Sequence, residues 1–263
     1  PRSRAEMTDK TPEAKPANAA SRAAEAILRD AARPLPKRFY KDVKVSETDG
    51  AFAVLLDGRN VRTPRKQVLT LPSRPLAEEV AREWAAQADV IDPAGMPLTT
   101  LVFTAIDAVS GSPDAVAAEI VKYAGSDLLC YRAESPDELV RTEALHWDPV
   151  LRWAEQTIGA RLVVGNGLMP VEQPAEASAA VARAVTGLPA LELAGLHVLT
   201  TLMGSAILAL AVRHGRLSLD AAWAAAHVDE DWQIAQWGED AEAQRRRAIR
   251  LQQARAAAMV LAA

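Results

Sequence analysis

Residues 51–63 read AFAVLLDGRNVRT, and this stretch sets the architecture of the first part of the chain. Asp57-Gly58 is a two-residue turn that tolerates positive φ, and it joins an apolar run to a polar return strand. Residues 39–45 before it and residues 68–71 after it also have strand composition. The pattern therefore predicts an antiparallel meander over residues 39–71.

Apolar residues at helical spacing follow the meander. Leu76, Val80 and Trp84 lie four residues apart, which predicts a helix that packs on the sheet with Trp84 in the core. Residues 98–109 have the composition of a buried helix, and residues 127–131 that of a short strand returning to the sheet.

The second half of the chain is dominated by helical patterns. Ser135 and Glu138 form a capping box, which predicts a helix that Pro149 kinks or splits. Residues 161–164 resemble one more strand, and the pattern is helical from about residue 174 onward. Breaks are expected at three glycines: Gly187, Gly215 and Gly238.

These elements predict an α+β fold. An N-terminal antiparallel β-rich domain with packed helices covers residues 34–133, and a C-terminal all-α helical bundle domain covers residues 134–263. Residues 1–33 are polar and rich in proline and alanine, which predicts a disordered or partly helical arm.

Composition limits the classes of function. The net charge is −4 and argues against general nucleic-acid binding, and the single cysteine, Cys130, fits a reducing compartment. The N-terminal residues lack the apolar centre of a secretory signal. Residues 193–212 carry no Asp, Glu, Lys or Arg and are long enough to span a bilayer. Because they include His197, threonines, glycine and serine, we instead predict one helix buried inside the bundle, with no membrane insertion.

The sequence offers little support for metal or cofactor chemistry. None of the four histidines lies at i, i+4 spacing, so we predict no metal site and no cofactor. Residues 165–167 lack the lysine of a phosphate-binding loop, and no second glycine follows Ser205 to make a nucleophile elbow. Three consecutive acids at residues 229–231 would point in different directions on a helix, so an enzyme that uses them is the less favoured alternative.

Residues 228–240 read VDEDWQIAQWGED, with five carboxylates, two tryptophans and two glutamines. On a helix that Gly238 ends, Val228 and Trp232 share one face, while Asp229 and Gln233 share another. One interpretation is an ordinary solvated surface helix. The other is a docking surface, because tryptophan is costly to place on a purely solvated face.

Nine short motifs occur along the chain in one order. They are residues 38–43 (RFYKDV), 56–59 (LDGR), 63–64 (TP), 83–87 (EWAAQ), 96–99 (MPLT), 127–132 (DLLCYR), 147–149 (WDP), 229–233 (DEDWQ) and 237–238 (WG). This set, over residues 38–255, resembles the assembly chaperones of the F-type ATP synthase α subunit. The resemblance implies a non-enzymatic protein that needs no cofactor, binds the unassembled α subunit and prevents its aggregation until the β subunit joins. A generic protein-interaction module is the alternative.

The resemblance also implies where the partner binds, since the family's functional emphasis lies on acidic residues of the C-terminal helices. We expect the partner to contact six residues: Asp229, Glu230, Gln233, Gln236, Trp237 and Glu239. Trp84, Trp232 and Gly238 are expected to be structural, with Trp232 anchoring its helix in the core. A monomer is expected, because a surface that must release its partner gains little from self-association. Composition favours a bacterial cytoplasmic protein, or a mitochondrial matrix protein if the source is eukaryotic.

Overall fold

The computed structural model describes residues 34–167 and 169–263, so the predicted arm at residues 1–33 lies outside the described residues. An antiparallel sheet opens the fold, and four strands form it: β1 (Val43–Thr48), β2 (Ala51–Leu56), β3 (Arg59–Asn60) and β4 (Thr70–Leu71). The spatial order is β1-β2-β3, and β4 also pairs with β2. Both two-residue turns have positive φ throughout, at 52° and 76° for Asp49-Gly50 and at 46° and 79° for Asp57-Gly58. These angles match the right-handed twist of a hairpin, and the predicted antiparallel strands are confirmed; the last of them, β4, pairs with β2 and not with β3 as a simple meander would.

Helix α1 (Arg74–Ala85) packs on this sheet. It buries Leu76, Val80 and Trp84, as the spacing predicted. The hydroxyl of Tyr40 donates a 2.7 Å hydrogen bond to the carbonyl oxygen of Trp84, and the two rings meet edge to face at 5.7 Å. The contact between Tyr40 and Trp84 therefore joins the segment before β1 to the end of α1.

Helices α2 (Pro97–Asp107) and α3 (Pro113–Ala124) follow. The carboxylate of Glu83 caps the start of α2, because it accepts hydrogen bonds from the amides of Leu98 at 2.8 Å and Thr99 at 2.7 Å. Burial is the main influence on this carboxyl and raises the pKa of Glu83 despite these donors.

The two extra strand predictions are wrong in position. Residues 128–130 form a 3₁₀ turn, because the side chain of Asp127 accepts from the amides of Leu129 at 3.1 Å and Ile207 at 3.1 Å and faces inward. Residues 161–164 are not a strand, because the amide group of Gln173 bonds the backbone of Val163 at 2.9 and 2.8 Å in place of a partner strand. Strand β5 (Tyr131–Arg132) instead pairs in parallel with β6 (Gly165–Asn166).

Helix α4 (Asp137–Trp153) continues into a π-helical turn, Ala154–Ile158. The capping-box prediction is wrong, because the N-cap residue is Pro136 and no side chain caps the start of the helix. The helix also does not split at Pro149. Proline deprives the carbonyl oxygen of Leu145 of its donor, but Leu145 is 73% exposed, so water can reach this turn of the helix.

Six further helices complete the described chain: α5 (Ala175–Val185), α6 (Ala190–Met203), α7 (Ala206–Arg213), α8 (Leu219–Ala226), α9 (Val228–Trp237) and α10 (Ala241–Leu261). The uncharged run 193–212 is buried as expected, but it is two helices rather than one. Gly204 ends α6 at φ 66°, and the hydroxyl of Ser205 accepts from the amide of Leu208 at 2.9 Å to start α7. Among the described residues, no helix has both the length and the apolar character needed to cross a bilayer.

Packing between helices creates one continuous core in this α+β fold. Helices α2 and α3 from the first part of the chain lie against α6 from the second, and α10 runs along α6. The two helices lie close together at Gly195 of α6, where an added Cβ would be 3.1 Å from the carbonyl oxygen of Ala257 on α10. A side chain at this position would push α10 away by a few tenths of an ångström, so glycine allows α10 to pack closely against α6.

Candidate functional site

Helices α9 and α10 enclose an open cleft of about 400 Å³. The chain turns between them at Gly238, whose φ of 90° suits glycine, and the side chain of Asp240 then caps α10 by accepting from the amide of Ala243 at 2.7 Å. We call this feature the α9–α10 cleft. Its lining residues are Glu230, Gln233, Ile234, Trp237, Gly238, Asp240, Ala243, Gln244, Arg246, Arg247 and Arg250.

The structure places the six expected contact residues in three settings. Glu230, Gln233 and Trp237 line the cleft. Gln236 and Glu239 are exposed but lie outside its lining. Asp229 is only partly exposed and turns toward the interior, contrary to the outward orientation that the helix pattern suggested.

The two tryptophans of α9 form a partly exposed aromatic pair. The ring of Trp237 is 76% exposed and stands edge-on to Trp232, with 6.0 Å between ring centroids. Trp232 is partly buried against the edge of the core, whereas Val228 is the residue of α9 that is fully buried. Helix α9 is therefore held to the protein mainly at its first turns and presents an aromatic ring to solvent at its end.

Arginines of α10 are engaged within the protein. The guanidinium of Arg247 pairs with Asp231 of α9, with 3.1 Å between Nη2 and Oδ2. Arg246 pairs with Glu242 at 2.6 Å, and Arg250 donates to the carbonyl oxygen of Leu202 at 2.6 Å. Arg246 and Arg247 thus form ion pairs, and the pair between Arg247 and Asp231 joins α10 to α9. These arginines were missed as cleft residues, because only the fold brings them opposite α9.

Asp229 meets a buried glutamate that the sequence did not single out. Its carboxylate lies within hydrogen-bonding distance of the carboxyl group of Glu143 on α4. Glu143 is only 1% exposed. One carboxylate oxygen of Asp229, Oδ1, is buried without a hydrogen-bond donor in the described part of the chain. Burial, aided by the negative charge of Asp229, raises the pKa of Glu143 to about 7. A single glutamate in an amphipathic helix gives no sequence signal of such a role.

A buried arginine lies beside this carboxyl pair. Arg132 donates to Asp148 at 2.8 Å and to the carbonyl oxygen of Leu129 at 3.0 Å. Its guanidinium lies 5.0 Å from the ring of Trp147, and the indole nitrogen of that ring donates to the carbonyl oxygen of Ala225 at 2.7 Å. This chain of contacts connects α4 to the end of α8, immediately before α9.

A second surface is a broad apolar trough of about 770 Å³ between α2, α6 and α10. Apolar residues such as Leu101, Val198, Leu202 and Ile249 line it, and Ile249 is 61% exposed. Of the described residues that line this trough, none is Asp, Glu, Lys or Arg, and burial lowers the pKa of His197, which also lines it. Such a wall suits apolar surface, since a charged ligand would lose its hydration there without a partner.

The described residues do not assemble a recognisable metal or thiol centre. Over residues 34–167 and 169–263, His, Cys, Asp and Glu side chains form no group of three or more that could hold a metal ion. Burial raises the pKa of the Cys130 thiol to about 12, so this sulfur is unreactive at neutral pH. The α9–α10 cleft and the apolar trough are the two candidate binding surfaces.

Comparisons with known proteins agree with this description. The family model described as ATP12 chaperone protein matches residues 37–155. The protein atp12, mitochondrial, of Schizosaccharomyces pombe is 24% identical over 224 residues, which cover 79% of this chain and 77% of the relative.

Solved structures of similar proteins share this fold. A putative chaperone from Agrobacterium tumefaciens, the Atu1473 protein, is 50% identical and superposes with a TM-score of 0.82 over 89% of this chain and 90% of that chain. Atp12 from Paracoccus denitrificans is 42% identical, with a TM-score of 0.79 over 86% of this chain and 97% of that chain. A mutant of the Paracoccus protein with lysine in place of an aspartate matches equally well, with the same TM-score of 0.79.

Proposed function

Since this chain belongs to the ATP12 chaperone family, we propose that it binds the unassembled α subunit of the F-type ATP synthase. In this proposal the chaperone covers an interface of the α subunit until the β subunit replaces it. An unassembled subunit exposes apolar surface that would otherwise associate non-specifically. Covering such a surface requires binding alone, so the proposal involves no catalysis, nucleotide or cofactor.

The observation that carries this proposal is the position of Trp237. An exposed tryptophan beside Glu230 and Gln233, at the mouth of a cleft, has the composition of a protein-binding hot spot. The ring offers apolar contact area with little loss of conformational entropy, because it already leans on Trp232. The carboxylate of Glu230 and the amide of Gln233 can satisfy polar groups of the partner around that ring. We propose Gln236 and Glu239 as contacts at the edge of the same surface.

The apolar trough supplies the area that a single cleft lacks. It shares helix α10 with the cleft: Arg246 and Arg250 face the cleft, while Ile249 faces the trough. A partner lying across α10 could therefore bury apolar surface in the trough and contact Trp237 at the same time. Stable protein interfaces need roughly 800 Å² from each partner, which is more than one tryptophan provides.

We also propose that the protein acts as a monomer in the bacterial cytoplasm. Self-association over the trough or the cleft would compete with the partner. The 50% identity to the Agrobacterium protein, against 24% to the mitochondrial yeast protein, supports a bacterial source.

The experiment that tests the proposal is a refolding assay. Isolated ATP synthase α subunit is diluted from denaturant with and without this protein, in the absence of nucleotide, and aggregation is followed by light scattering. We expect suppression near a 1:1 ratio, weakened by Glu230→Lys because the reversed charge faces the partner. Glu78→Lys on α1 is the matched control, since Glu78 is an exposed acid far along the chain from the cleft.

Two further clients separate the alternatives. The β subunit and an unrelated aggregating enzyme, citrate synthase, are refolded under the same conditions. Protection of the α subunit alone would support the proposed specificity. Equal protection of all three would identify a generic interaction module, and failure to protect any of them by a folded sample would refute the proposal.

A further inference from the structure

We propose that Glu143 is a positioning residue for helix α9, which it holds in place through a proton shared with Asp229. The consequence for partner binding rests on the function proposed above, whereas the shared proton itself does not. In this scheme the shared proton lies inside the protein and makes no contact with the partner. The pair instead sets how firmly the α9–α10 cleft is held.

Geometry requires a donor between the two carboxyl groups. They lie within hydrogen-bonding distance of each other, and Oδ1 of Asp229 is buried without any other donor from the described residues. Two carboxylate anions at that distance would repel each other and leave a buried oxygen unsatisfied. One proton placed between them supplies the missing hydrogen bond and removes the repulsion.

The proton belongs on Glu143 rather than on Asp229. Asp229 is the second residue of α9, where the positive end of the helix dipole favours a negative charge. Glu143 lies in the middle of α4, is 1% exposed, and already accepts a 3.0 Å hydrogen bond from the amide of Ala133. The same amide reaches the other oxygen, Oε1, only at 3.3 Å, so this more weakly bonded oxygen carries the proton toward Asp229.

The other charged groups around the pair do not replace this proton. Arg132 of β5 lies nearby and favours the ionised glutamate, but the side-chain hydrogen bonds that it makes within the described residues go to Asp148 and to the carbonyl oxygen of Leu129. Glu134 shares a cavity of about 400 Å³ with Glu143 and adds a further negative charge. On the far side of α9, Asp231 pairs with Arg247, and Glu230 lies 3.9 Å from His227.

Helix α9 depends on this contact more than a well-packed helix would. Val228 is its one fully buried residue among those described, and Trp232 is only partly buried. The cavity beside Glu143 gives water a route to the pair, so the proton can exchange. Ionisation of Glu143 would therefore loosen α9 and with it the placement of Trp237.

The sign of the pH effect follows from the raised pKa. The pKa of Glu143 is about 7 with α9 in place, against 4.5 for an ordinary glutamate. The closed arrangement is thus favoured fully below pH 4.5, and this preference is lost as the pH rises toward 7. Between pH 5.5 and 7.5 the open population of α9 should increase on the order of tenfold.

Amide hydrogen exchange of the free protein tests the shared proton. The exchange rates of α9 amides are measured for the wild type and for Glu143→Gln at pH 5.5 and 7.5. Glutamine keeps both hydrogen bonds and cannot ionise, and the comparison at each pH cancels the intrinsic pH dependence of exchange. We expect the ratio of wild-type to mutant rates in α9 to rise on the order of tenfold between the two pH values, with no change for the amides of α5.

A ratio that does not change with pH, or that changes equally in α5, would overturn the proposal. Asp229→Asn is the second variant: asparagine donates to the ionised glutamate, so the pH effect should vanish there as well. If Glu143→Gln does not fold, the ratio of wild-type to Asp229→Asn exchange rates in α9 tests the same expectation. Binding of the α subunit over the same pH range should weaken in the wild type and stay constant in Glu143→Gln. Loss of binding in all variants, with the exchange result unchanged, would refute the proposed partner and not the shared proton.

Discussion

Replacement of Trp237 by alanine should separate binding from stability. The side chain is 76% exposed, so about a quarter of its surface is buried. A buried tryptophan covers about 200 Å², and a quarter of that area at about 25 cal/mol per Å² corresponds to roughly 1 kcal/mol. The edge-on contact with Trp232 contributes a further ~1 kcal/mol. Trp237→Ala should therefore reduce the free energy of unfolding by about 2 kcal/mol or less.

The effect on partner binding should be larger. A tryptophan at the centre of an interface contributes at least ~2 kcal/mol, which corresponds to about 30-fold in Kd. Phe39→Ala is the matched control, because Phe39 is 72% exposed and also packs edge-on against one aromatic ring, that of Tyr40. Urea unfolding should give similar, small losses for both variants. Titration of labelled α subunit should show weakened binding for Trp237→Ala only.

Two outcomes would refute this reasoning. If Trp237→Ala bound the α subunit within about twofold of the wild type, the ring would not be part of the interface. If Phe39→Ala weakened binding equally, the loss would reflect a general consequence of removing exposed aromatic surface. In either case the α9–α10 cleft would have to be given up as the principal contact.

Three further predictions concern stability, each measured by urea unfolding. Trp84→Ala should lower the free energy of unfolding by about 3–5 kcal/mol, because it empties a buried site between the sheet and α1; a loss below about 1 kcal/mol would contradict that core role. Glu83→Gln should cost about 1–3 kcal/mol, since one carboxylate accepts from both Leu98 and Thr99 and an amide accepts through only one atom; a neutral effect would show that the cap is dispensable. Because the pKa of Glu143 is raised, the wild type should lose up to about 1.4 kcal/mol per pH unit relative to Glu143→Gln between pH 4.5 and 7, and parallel pH profiles of the two proteins would exclude this.

Much of the fold follows from neighbouring residues alone. The Asp49-Gly50 and Asp57-Gly58 turns need positive φ at both positions, a conformation that few other dipeptides adopt, and so the strands on either side are predictable. The stripe that ends at Trp84 is equally local, because its period is that of a helix. The helical period also predicted that the acidic stretch 228–240 forms a surface helix that carries tryptophan.

Two of the errors occurred where a group outside the local pattern replaced the expected partner. The side chain of Gln173 bonds the backbone of Val163, where the pattern predicted a partner strand. The uncharged run 193–212 looked like one helix because its composition is uniform. However, α6 ends at Gly204, and the carboxylate of Asp127, far away in the chain, accepts a hydrogen bond from the amide of Ile207 in the first turn of a second helix. Hydrogen bonds of this kind are invisible to any pattern confined to a short window.

The sequence by itself determined the meander, most of the helices and the exposed aromatic and acidic character of α9. Only the tertiary structure decided that α10 folds back to complete the cleft and that Asp229 turns inward to Glu143. Local propensity depends on the few residues that share a turn of helix or strand. The meeting of two distant helix faces depends on the packing of the whole core, such as the approach of α10 to Gly195, and no single segment contains that information.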